Sequence, residues 1–151
     1  MKRAIGVLLL MAMGIPALAA DGPGVQYVNG TAQGVKEGSF GTVDTNAAKA
    51  LEFHAGGAGF SIPYDGVIVY KYREENRFRL GVLPAIAVGI VKARSKRHLL
   101  TIAWKDGQGV AEVVTLEGSK DDALGLVALL RARAPNADCG NRMRPPCGAD
   151  K

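Results

Sequence analysis

The sequence predicts a mainly β domain, an antiparallel sandwich or barrel, closed by one C-terminal helix. Three observations predict it. Short runs of alternating or β-branched apolar residues recur along the chain, punctuated by Gly, Asn and Asp. The 20 glycines are scattered without a three-residue period, which fits many tight turns and excludes collagen. A single stretch near the C-terminus carries a cap, a helical stripe and a stop. With 151 residues, 48% hydrophobic and 22% charged, the chain can fill one core and is too apolar for wholesale disorder.

The first segment stands apart from the fold. Lys2 and Arg3 open it, an apolar run from Ala4 to Ala12 follows, Gly14 and Pro16 break that run, and Ala17-Leu18-Ala19 supplies small residues for cleavage. This three-part order is that of a secretory signal peptide over residues 1–19. The run is short for a bilayer span and is interrupted by Pro16, which favours cleavage over a retained anchor. Cleavage removes Lys2 and Arg3, so the formal charge of +5 falls by two. That leaves little basicity to attribute to nucleic acid. The expected location is periplasmic or extracellular.

The mature body reads as strands first. Val25 to Val28 is one, closed by Asn29-Gly30, and Gly38 to Val43 is a second, ended by Asp44-Thr45-Asn46. Ala50 to Ala55 alternates, with Leu51 and Phe53 on one face and Glu52 and His54 on the other. Gly56 to Gly59 reads as a turn. Phe60, Ile62 and Tyr64 form a further strand, and Pro63 marks it as an edge. Val67 to Tyr72 continues the sheet. His98 to Trp104 and Val110 to Leu116 form a hairpin around Lys105-Asp106-Gly107-Gln108-Gly109, with Asp-Gly expected to supply the positive backbone angles. Ser119 and Asp122 make a capping box. Ala123, Leu126, Val127 and Leu130 then fall on one helical stripe over about 120–133, and Pro135 stops the helix. A polar tail covers 135–151.

Cys139 and Cys147 both lie in that tail, where export makes a disulfide the default. Two thiols with no nearby His do not suggest zinc, and their spacing is not that of a redox pair. No metal or other cofactor is expected.

The stretch Gly81 to Val91 is nearly all apolar. One reading, the favoured one, is a buried strand or strand-loop. The other is a membrane-dipping loop presenting Val82, Leu83, Ile86, Val88 and Ile90, collared by Arg77, Arg79, Lys92, Arg94, Lys96 and Arg97 against an anionic surface. A solvated basic face is the plain alternative for that cluster.

The strings Gly41 to Asp44, Leu51 to His54, Phe60 to Asp65, Tyr70 to Tyr72, Lys96 to Ile102 and Asp121 to Arg133, taken in order, resemble small exported bacterial proteins of the pleckstrin-homology-like (PH-like), GRAM-like type. The resemblance covers roughly 25–134. It implies a bent antiparallel barrel capped by a helix, used as a platform for phosphoinositides, peptides or proteins. The basic signature of phosphoinositide binders between the first two strands is absent: only Lys36 lies there, beside Glu37.

No catalytic constellation emerges. His54 reads as a surface residue and His98 as the border of a strand. Glu74-Glu75 reads as a solvated turn and Asp121-Asp122 as helix capping, so neither pair suggests an acid/base dyad. Gly56 to Gly59 lacks the Gly-Lys-Ser/Thr of a phosphate loop, and no Gly-x-Ser-x-Gly elbow occurs. The expectation is an exported, non-enzymatic binding module for a protein, a peptide or an anionic lipid surface, and not for nucleic acid. The alternatives are a structural envelope protein and, further off, a small hydrolase.

Overall fold

The computed structural model describes residues 22–77 and 95–140. Residues 1–19, expected to be a signal peptide, and Arg79, the apolar stretch from Val82 to Ile90, Lys92, Arg94 and Cys147 lie outside them. The described part is an eight-stranded sheet with one C-terminal helix. The strands are β1 (Gly24–Gly30), β2 (Phe40–Asp44), β3 (Ala50–Ala55), β4 (Ala58–Pro63), β5 (Val67–Arg77), β6 (Ser95–Lys105), β7 (Ala111–Gly118) and β8 (Asp138–Cys139). The helix, α1, is Lys120–Arg133 and lies between β7 and β8.

The strand order is β4-β3-β2-β1-β7-β6-β5-β8. Every pairing is antiparallel except β5 with β8, so part of the expected loose tail is held to the sheet. The expected barrel does not close. After β4 the chain leaves the sheet at Pro63, passes through a 3₁₀ turn at Tyr64–Gly66 and starts β5 on the far flank. Proline has no N–H for a further ladder bond, which ends β4 as an edge. The sheet nonetheless bends far enough to bring its flanks together: the Phe60 ring of β4 stacks on Trp104 of β6, 6.2 Å between centroids.

The concave face carries the core. Val25, Tyr27, Val43, Leu51, Phe53, Ile62, Leu100, Ile102, Val114 and Leu116 are buried there. α1 covers it with Ala123, Leu126, Val127 and Leu130, the stripe read from the sequence. At its start, Ser119 Oγ accepts from Asp122 N at 3.1 Å and donates to the Asp122 carboxylate at 2.6 Å. That satisfies one of the orphan N–H groups of the first turn.

Several local details differ from the sequence reading. Asn29-Gly30 is not a turn; β1 runs through it with a register shift between Tyr27 and Asn29. Ala58 and Gly59 belong to β4, leaving Gly56 and Gly57 as a two-residue turn. In the β6–β7 hairpin the positive φ falls on Gly109 rather than Gly107, because Asp106 Oδ1 takes the N–H groups of Gln108 and Val110 and folds the loop around itself. Glu74 and Glu75 are not in a turn but within β5, one on each face, because β5 and β6 pair as far as Arg77 and Ser95.

Candidate functional site

The free edge of β4 is the first candidate. Gly56 and Gly57 have φ of 55° and 91°, as a type I′ turn requires. A two-residue turn of this kind makes its flanking residues, Ala55 and Ala58, a hydrogen-bonded pair. Alternation then makes Phe53–Phe60 and Leu51–Ile62 the other bonded pairs. The N–H and C=O groups of Gly59 and Ser61 therefore point away from β3. Among the described residues they meet no partner. Both residues are exposed.

A groove opens alongside this edge. Phe60 and Ser61 form one wall, and Trp104, Asp106, Gln108 and Glu112 the other. Phe60 is half-buried; its ring stacks on Phe53, 5.0 Å between centroids, and meets Tyr27 at a 59° tilt, 5.9 Å away. The groove so offers the half-buried Phe60 ring backed by the buried Trp104, a mostly polar lining and an unpaired backbone edge.

The second candidate is a polar cluster at the far end of the β5–β6 pairing. Tyr72 Oη donates to Glu74 Oε1 at 3.0 Å and lies 2.8 Å from His98 Nδ1. Lys96 Nζ donates to Glu74 Oε2 at 3.1 Å. The phenol has a single proton. Given to Glu74, it leaves the phenol oxygen to accept, so His98 must carry its proton on Nδ1. Burial, then the hydrogen bond to Glu74 and its charge, push the Tyr72 phenol up to about 12. The hydrogen bond from Lys96, then that from Tyr72, hold the Glu74 carboxyl below its ordinary value. His98 is thus inside a strand and half-buried, not at its border. His54 is on the surface as expected, 3.5 Å from Glu52. The cluster was missed because Glu74-Glu75 looked like a turn. Only half of the signal lies in the sequence: Tyr70, Tyr72 and Glu74 share one parity, as do Lys96, His98 and Leu100, but the register that joins the two strands is not written in either.

Of the basic residues expected to face an anionic surface, Lys96 and Arg97 have described side chains, and both are engaged. Lys96 pairs with Glu74, and Arg97 forks onto the Glu117 carboxylate through Nε at 2.9 Å and through Nη2. Arg77 ends β5. Cys139 is half-buried in β8. No helix among the described residues is long and apolar enough to cross a membrane. No group of three or more His, Cys, Asp or Glu among them could hold a metal ion.

No protein-family model matches the chain, and no curated protein or solved structure matches it either.

Proposed function

We propose that this chain is an exported PH-like binding module that takes up an extended peptide segment on the free edge of β4. The observation that carries the reading is the unpaired backbone of Gly59 and Ser61 beside the groove that Phe60 lines. A peptide strand added there would gain main-chain hydrogen bonds from the edge. Its side chains on one face would rest on the Phe60 ring, which the buried Trp104 backs, so an apolar residue opposite Phe60 is expected. The signal-like N-terminus supports export, and the tail cysteines would then pair in an oxidising compartment. The membrane-surface reading gains less support, since Lys96 and Arg97 already spend their charge on carboxylates.

The test is a displayed library of linear ten-residue peptides panned against the full chain, followed by amide chemical-shift mapping of the enriched sequences. Shifts centred on Gly59, Ser61 and the Trp104 indole are expected. Ser61→Pro removes an outward N–H that β3 does not use, so the fold should survive while binding is lost. Enriched peptides that bind the Ser61→Pro variant equally well, or whose shifts map away from β4, contradict the reading.

A further inference from the structure

We propose that the corner between the end of α1 and the start of β3 is a binding site for a small carboxylate carried on an apolar body. It shares Pro63 with β4 but not the Gly59 and Ser61 backbone, and it does not depend on the peptide reading. Arg133, in the last turn of α1, gives Nη1 protons to the carbonyls of Thr45 and Ala47, each at 2.9 Å. Its guanidinium lies over the Tyr64 ring, 5.6 Å from the centroid. Two hydrogen bonds and a ring face fix the plane of a side chain that would otherwise be free. The edge left over is Nε–H with Nη2–H, and among the described residues it meets no acceptor. That is the edge which takes both oxygens of a carboxylate at once.

The surroundings suit such a ligand. Arg133 opens onto a groove whose apolar surface comes from Ala50, Pro63, Tyr64 and Pro135. Lys49 stands in the same groove, held near Tyr64 because Tyr64 N–H donates to the Lys49 carbonyl at 3.0 Å. Its ammonium has no ion-pair partner among the described residues. Asp65 is the one carboxylate in the lining, so the groove is left with a net positive charge. A concave, largely apolar site with a few fixed polar groups is the usual form of a small-molecule pocket.

The probe is hexanoate, titrated into the full chain at neutral pH and followed by amide shifts, with hexanamide as its uncharged match. A ligand this small should bind with a dissociation constant of about a millimolar. Saturable shifts at Ala47, Lys49, Tyr64 and Arg133 are expected with hexanoate and not with hexanamide. Arg133→Gln should weaken binding by about tenfold or more, through loss of the charged fork. Arg133 also ties down the loop before β3, so two exposed positions provide an independent check. Lys49→Gln should weaken binding and Asp65→Asn should tighten it, each by about threefold. Absence of saturable shifts, equal binding of hexanamide, or identical affinities in the Lys49→Gln and Asp65→Asn variants would overturn the proposal.

Discussion

The Tyr72 phenol must satisfy two neighbours with one proton, and its ionisation reports how well it does so. Its unfolded value is 10.0 and its folded value about 12. Between those pH values the unfolded chain loses the proton first, so folding stability falls as pH rises through that window. Glu74 has the opposite sign: its folded value is depressed, so its contribution is present above the unfolded value of 4.5 and is lost as pH falls through the folded one. A phenolate absorbance titration, taken as the difference between the native chain and Tyr72→Phe, should place the Tyr72 midpoint near 12. Glu74→Gln should lower that midpoint without returning it to 10.0, because burial is the larger cause. An unchanged midpoint in Glu74→Gln would show that the two side chains are not joined. Individual residues of this cluster were visible in the sequence, but their meeting was not. It depends on the register Glu74–His98, which no local string encodes.

α1 was the most legible element because its signals are local. The cap, the stripe and the stop at Pro135 lie within one stretch, and the four stripe residues are the four that are buried. Replacing Ser119 with Ala should cost about 1 kcal/mol, since one N–H loses its acceptor. Leu130 is fully buried, and Leu130→Ala should cost about 2–5 kcal/mol through lost transfer energy and a residual cavity. Urea denaturation measures both, and a Ser119→Ala loss as large as that of Leu130→Ala would mean that packing does not dominate the helix. The strands were legible where they alternate, as in β3, whose bounds match the reading. They were less so where pairing is irregular. A register shift between Val67 and Val69 lets Val67 and Tyr70 both face the core and leaves Ile68 42% exposed. A bulge of this kind is a property of two strands together, so the sequence of one does not disclose it.

At the scale of the molecule, the class of fold was readable and its closure was not. Alternation tells which face a strand buries, but not whether the first and last strands meet. Pro63 did point to an edge, and β4 is one. An exposed edge invites unwanted pairing unless something blunts it, and β4 is short and ends in proline. The groove beside it turns that same edge into the proposed docking strand. Its stacked Phe60 and Trp104 rings come from β4 and β6, which are far apart in the chain and in strand order and meet only because the sheet bends. The most direct test is residue-resolved amide hydrogen exchange along β4, in the free chain and with a library-selected peptide bound. In the free chain, Phe60 and Ile62 should exchange slowly and Gly59 and Ser61 fast; peptide should then slow Gly59 and Ser61. Uniform protection along β4 in the free chain, or no slowing at those two amides on binding, would contradict the account.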